Sequence, residues 1–312
     1  MKRIIPYIAI VTAMLIWACA GIAVKEALVV FSPLTLIVIR FTLAVLLMFC
    51  IGMIFRKNEV VGLQRMDKKD LPLFMLGGLF QPFLYFIFET YTYQTFASPT
   101  IAEALLSTQP VMAPLFAWML LREKVTRNNV IGIAVSTTGV VMLLLVGEGQ
   151  LAMGDGPSSV GLGLLLAVLT VSMSVSYSVI LRKIPTHYSP LSIVFYVQSF
   201  SLLLFYPLWG GMALLSDEAM WLLGDEAMGQ WVKSLLSVGY LAVLASVAAF
   251  VLFCYTVRQI GVTRANVFNN VRPVFTAILM WIIFDEILPL WKWIGIFIII
   301  LGLFISQKHE KL

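Results

Sequence analysis

Residues 98–139 read SPTIAEALLSTQPVMAPLFAWMLLREKVTRNNVIGIAVSTTG, and residues 261–302 read GVTRANVFNNVRPVFTAILMWIIFDEILPLWKWIGIFIIILG. Offset by 163 positions, the two stretches align without a gap and share ten identities. These pair Thr100 with Thr263, Ala102 with Ala265, Pro110 with Pro273, Val111 with Val274, Trp118 with Trp281, Glu123 with Glu286, Ile131 with Ile294, Gly132 with Gly295, Ile133 with Ile296 and Gly139 with Gly302. Apolar bias would match Ile and Val by chance, but not Pro, Trp, Glu and two Gly in the fixed spacing Pro-x12-Glu-x8-Gly-x6-Gly. A fainter echo at an offset of 157 sets Ser32-Pro33-Leu34 on Ser189-Pro190-Leu191. The chain is a duplication, and such repeats decide an architecture before any motif does.

The composition sets the solvent. Of 312 residues 61% are hydrophobic and only 12% charged, about half the roughly 25% charged of an average soluble domain. The mean hydropathy of +0.97 excludes a soluble fold, which would have to leave large apolar areas in water. Apolar runs of about 20 residues cross a hydrocarbon core of about 30 Å. Ten are present, near 4–24, 33–55, 71–95, 99–120, 128–146, 160–182, 189–211, 234–259, 263–284 and 290–308. The expected fold is therefore an all-α integral membrane protein, with one five-helix unit over 1–147 and a second over 160–308. Five is odd, so the second unit starts on the opposite side of the membrane and is inverted, the arrangement of secondary transporters built around a midplane site.

Lys and Arg distribute accordingly. Sixteen fall in the connections that share a side with both termini, and Lys25, Lys233 and Lys292 fall on the other, which places both ends in the cytoplasm. The net charge of +5 is scattered between spans and forms no nucleic-acid patch. Lys2 and Arg3 ahead of an apolar run, with Ala18-Cys19-Ala20 after it, resemble a signal peptide. That run is long enough to span, however, and its removal would break the repeat. Cys19, Cys50 and Cys254 lie in apolar stretches without a CxxC pair, and His187 and His309 sit in a loop and the tail, so no disulfide framework or metal site is expected. No HExxH, GxSxG or phosphate-loop motif is present, which leaves hydrolytic enzymes and ATP-driven pumps without machinery and calls for no cofactor.

The five-plus-five plan and the twice-used motif Pro110, Glu123, Gly132, Gly139 and Pro273, Glu286, Gly295, Gly302 resemble the EamA family of the drug/metabolite transporter superfamily over nearly the whole chain. Trp17 also fits, although the Trp-Gly pair common in that family is Trp17-Ala18 here. The resemblance implies an inner-membrane carrier of amino acids or similar metabolites, often an exporter. It names no substrate.

Ionisable groups deep in a bilayer are functional candidates by default; these are Arg40, Glu89, Glu103 and Arg272. Gln81, Tyr85 and Glu89 recur at i, i+4 and i+8, with Thr92 a turn further, and such a polar stripe must face a cavity or a partner helix. The repeat sets Glu103 on Asn266 and Ser107 on Asn270, each ahead of a proline whose missing hydrogen bond frees a carbonyl at mid-depth. Asn269, Asn270 and Arg272 bring donors to that level, and Arg272 can fork onto a carboxylate. Trp17, Gln81, Tyr85, Glu89, Asn266, Asn269, Asn270 and Arg272 are thus the candidate cavity residues, with a small-molecule substrate and the lipid bilayer as partners. Arg40 and Glu89, on consecutive spans, are provisionally an ion pair. That leaves Glu103 as the carboxylate for proton coupling.

Other features read as structure. Glu123 and Glu286 cap span ends, Trp118 and Trp281 anchor at the interface, Ser172 and Ser176 pack, and Tyr177 stands beside them. The glycine faces of the fifth and tenth spans suit close packing, within the scaffold or in a homodimer. The expected function is a secondary transporter working by alternating access. The competing reading, a scaffold or receptor-like membrane protein, requires the polar faces to pack together with no cavity.

Overall fold

The computed structural model describes residues 4–59, 61–96, 99–106, 108–109, 127–145, 160–215, 228–260, 268–284 and 289–307. Every regular element among them is helical. In chain order they are α1 (Ile5–Leu28), α2 (Pro33–Ile54), α3 (Leu71–Gly78) joined through a wide turn at Leu79–Leu84 to α4 (Tyr85–Thr95), and α5 (Pro99–Leu106). After these come α6 (Arg127–Leu145), α7 (Val160–Lys183), α8 (Pro190–Leu215), α9 (Met228–Tyr240) joined through Leu241–Ala248 to α10 (Ala249–Ile260), α11 (Arg272–Phe284) and α12 (Leu290–Gln307). Among the described residues six stretches are long and apolar enough to cross a bilayer: Ile5–Leu28, Pro33–Ile54, Lys68–Thr95, Gly161–Leu181, Pro190–Met212 and Met228–Val257. Shorter apolar runs occupy α6 and α12. The chain is a multi-pass helical membrane protein. Pro110, Trp118, Glu123, Asn266 and Glu286 lie outside the described residues.

Prolines set where helices begin. Pro33, Pro99 and Pro190 are the first residues of α2, α5 and α8, and Pro6, Pro72 and Pro273 the second of α1, α3 and α11. At those positions the missing N–H is not needed and the fixed φ favours the first turn. Pro273 therefore starts a helix rather than kinking one, because a 3-10 turn at Phe268–Val271 precedes it. The echo of Ser32 and Ser189 is local chemistry repeated. Ser32 Oγ reaches Thr35 Oγ1 at 2.9 Å, and Ser189 Oγ reaches Ser192 Oγ at 2.8 Å while accepting the Ser192 N–H at 3.0 Å, an N-cap bond.

Two spans are interrupted near their middles. In the third, Gln81 has an extended backbone (φ −147°, ψ 114°) and precedes Pro82 through a cis peptide. In the eighth, Leu241–Ala248 widens into π-type turns. Such π-type turns in membrane helices release backbone carbonyls for other donors.

The glycine face read from the repeat packs within the chain, α6 against α12. A Cβ on Gly302 would lie 2.5 Å from the Ser136 backbone nitrogen and 2.7 Å from the Gly132 carbonyl oxygen, and one on Gly139 would lie 2.8 Å from the Gly295 carbonyl oxygen. These faces pack against each other within the chain. Trp281, Phe297 and Leu214 are exposed, the pattern of side chains turned toward lipid.

One loop junction joins the halves. Ser189 and Ser192 both donate to the Gly62 carbonyl (2.6 and 3.1 Å), Tyr196 donates to the Gln64 carbonyl (2.7 Å), and Tyr188 donates to Asp70 (2.8 Å) and accepts the Asp67 N–H (3.0 Å). Burial, with the Asp70 carboxylate beside it, raises the Tyr188 hydroxyl above the ordinary phenol range, so it stays a donor.

Candidate functional site

The break in the eighth span organises the centre of the molecule. The Ala245 carbonyl accepts the Trp17 indole N–H at 3.1 Å, and the Ser246 carbonyl accepts Gln198 Nε2 at 2.8 Å. The Ser246 hydroxyl accepts Arg40 Nε at 2.7 Å. One interruption thus fixes α1, α2 and α8 to the same point. The break in the third span turns Gln81 into the same region, so the stripe expected from helical spacing is carried by α4 alone, and Gln81 joins it through the non-helical turn.

These elements border a small, partly open cavity of about 50 Å³. Trp17, Gln81, Tyr85, Glu89, Asn269 and Arg272 line it, together with Arg40. The Asn270 side chain and the whole of Asn266 lie outside the described residues. The rest of the wall is largely aromatic and small, with Phe86, Tyr93, Tyr177, Phe250 and Phe253 beside Ala20, Gly21 and Val24, and adds the polar Gln109 and Ser174. Ser172 and Ser176 bond back to their own helix, at 2.7 Å to the Val168 carbonyl and 2.9 Å to the Ser172 carbonyl, as packing serines do. Their neighbours Ser174 and Tyr177 reach the cavity instead.

The charges pair differently from the sequence expectation. Arg272 donates to Glu103 at 2.8 Å, and Tyr93 also donates its hydroxyl to Glu103. Glu103 is fully buried, so α5 and α11 are joined by an ion pair in low dielectric. Arg40 and Glu89 form no direct ion pair. Arg40 lies over Phe86 at 4.5 Å and Phe41 at 5.3 Å while bonded to Ser246, and Glu89 accepts the Tyr85 hydroxyl at 2.7 Å. The provisional Arg40–Glu89 pair is therefore corrected to Arg272–Glu103. Glu89, unlike Glu103, has no arginine within salt-bridge distance among the described residues.

Tyr93, Ser246 and Gln198 were not singled out from the sequence. Tyr93 was within reach of it, since the step of four residues that links Gln81, Tyr85 and Glu89 continues to Tyr93. Gly21 belongs with it, as a Cβ there would lie 2.8 Å from the Tyr93 ring. Ser246 carries no such signal, because its role depends on the interruption of an Ala- and Val-rich helix.

A cavity lined by Arg40, Glu89 and Arg272 among helices apolar enough to span a bilayer is the setting of a membrane transporter. The EamA-like transporter family matches residues 4–145 and 161–307, and the chain belongs to that family. Similar proteins are named accordingly. An uncharacterized transporter, YetK of Bacillus subtilis, is 26% identical over 277 residues, covering 88% of this chain and 78% of its own. A riboflavin transporter of Vibrio cholerae is 26% identical over 67% of this chain and 62% of its own. An S-adenosylmethionine/S-adenosylhomocysteine transporter of Chlamydia muridarum is 23% identical over 88% of this chain and 82% of its own. A solved crystal structure matches 96% of each chain with a TM-score of 0.63 at 21% identity, which shows the shared fold.

Proposed function

We propose that the protein is a secondary transporter that moves a small metabolite, an amino acid or related compound, out of the cell across the inner membrane. It works by alternating access between two inverted five-helix halves, 1–147 and 160–308, with ten spans and both termini in the cytoplasm. The observation that carries this reading is the cavity itself, in which Arg40 and Glu89 face the same space without closing on each other. Charges kept apart in a low-dielectric site are costly unless a ligand completes them. The aromatic walls supply apolar contact for a side chain or ring. The family match over both halves supports the repeat, and relatives named for riboflavin and for S-adenosylmethionine support a metabolite as cargo. A scaffold or receptor-like role would call for polar faces packed shut, and the cavity argues against it. Of the two membrane carboxylates, Glu89 is placed to exchange a proton or a cation with the cavity, Glu103 being held between Arg272 and Tyr93.

Reconstitution into proteoliposomes tests the proposal. Saturable, competitor-sensitive efflux of one or more members of an amino-acid and metabolite panel is expected. Flux indistinguishable from protein-free liposomes across the panel would refute it.

A further inference from the structure

We propose that Arg40 binds the carboxylate of the cargo and Glu89 its ammonium group, and that Arg272 is a structural partner of Glu103 and takes no direct part in recognition. This rests on the reading of the cavity as an amino-acid transport site and adds which charges do the recognising.

Arg40 has the geometry of a built anion site. Its Nε is occupied by Ser246 at 2.7 Å, and its guanidinium face lies on Phe86 at 4.5 Å. These two contacts fix the plane of the group. Among the described residues its one hydrogen bond is the Nε bond to Ser246, and the residue lines the cavity. A guanidinium held at Nε and over its face presents the remaining edge as a fork that suits a carboxylate. Its support is anchored in turn, because Ser246 sits in the interruption pinned by Trp17 and Gln198.

Glu89 is the complementary half. Tyr85 donates to Oε1 at 2.7 Å, the one hydrogen bond to this carboxylate among the described residues, and Glu89 lines the cavity. Arg272 differs from Arg40 because it already has a carboxylate counter-ion at 2.8 Å. An incoming carboxylate would have to compete with Glu103 there, whereas at Arg40 it would meet no competitor. A zwitterion neutralises both free charges at once. An amine lacking the carboxylate leaves Arg40 uncompensated, and an acid lacking the amine leaves Glu89 uncompensated. Sites with a buried charged group reject analogues that leave it unpaired.

The test uses matched triplets on the purified full-length chain: L-phenylalanine with phenethylamine and 3-phenylpropionate, and L-leucine with isoamylamine and 4-methylpentanoate. Dissociation constants are read from ligand-dependent thermal stabilisation. In the wild type at least one zwitterion should bind about tenfold or more tighter than both of its analogues. Arg40→Gln should erase the advantage over the amine, and Glu89→Gln the advantage over the acid. The double variant Glu103→Gln/Arg272→Gln, which removes that ion pair without stranding a charge, should keep the zwitterion preference. If Arg40→Gln does not fold, Arg40→Lys serves, with weaker zwitterion binding but the same order of preference. Preference surviving in Arg40→Gln and lost in the double variant would overturn the assignment. So would a wild type that binds zwitterions no better than their analogues while proteoliposomes carry a non-zwitterionic metabolite, and in that case transport itself stands. No binding by any triplet together with no flux would overturn this inference and the transport reading alike.

Discussion

Gly302→Ala places one methyl group where α6 and α12 meet backbone to backbone. The new Cβ would sit 2.5 Å from the Ser136 nitrogen, 2.7 Å from the Gly132 oxygen and 2.9 Å from the Ser136 Cα. All three are main-chain atoms, so no side chain can rotate away. Ordinary contact starts at 3.4 Å, and the helices must separate by about 0.9 Å to reach it. Overpacking of this kind costs about 1–3 kcal/mol. The substitution also gains helix propensity, about 1 kcal/mol for Gly to Ala, which would hide part of the loss. Gly239→Ala removes that ambiguity: Gly239 lies in α9, and a Cβ there meets nothing within 4 Å. Both variants receive the propensity term, so their difference isolates the clash at about 1–3 kcal/mol. In thermal unfolding of the detergent-solubilised protein, Gly239→Ala should match or exceed the wild type, and Gly302→Ala should unfold several degrees below it. Equal midpoints for the two variants would refute the close packing of α6 on α12.

Two further outcomes follow from the contacts. Glu103→Gln strands the buried Arg272 charge and should destabilise by about 3–5 kcal/mol, with Glu103→Gln/Arg272→Gln costing clearly less than the two single changes together in a double-mutant cycle; additive effects would mean that the pair is not coupled. Ser189→Ala removes the N-cap of α8 and one bond to the Gly62 carbonyl, and should cost about 1 kcal/mol while speeding tryptic cleavage at Lys68 and Lys69. An unchanged cleavage rate would mean that the loop junction does not hold that segment.

The membrane fold was legible because it is written in bulk properties, long apolar runs with few charges. The cavity residues were legible for a related reason. Polar groups cannot face lipid, so Gln81, Tyr85, Glu89, Asn269 and Arg272 had to turn inward. What the sequence could not decide was who meets whom. Arg40 and Glu89 are neighbours along the chain, and chain proximity suggested a pair. The structure instead joins Glu103 to Arg272 across 169 positions, an interaction between halves that no local spacing encodes. The helix interruptions divide in the same way. Pro82 after Gly77-Gly78 is a visible signal for a break, but Leu241–Ala248 contains neither Pro nor Gly, and its π-type turns become evident only through the donors that Trp17 and Gln198 bring to it.

Alternating access requires that the cavity be reached in turn from each side of the membrane. A single cysteine at Gln81, in a chain with Cys19, Cys50 and Cys254 replaced, reports this directly when labelled with an impermeant thiol reagent in right-side-out and inside-out vesicles. Labelling from both sides, with the ratio between them shifted by a transported amino acid, is the expected result. Labelling from one side only, unchanged by any amino acid, or from neither side, would contradict the transporter account.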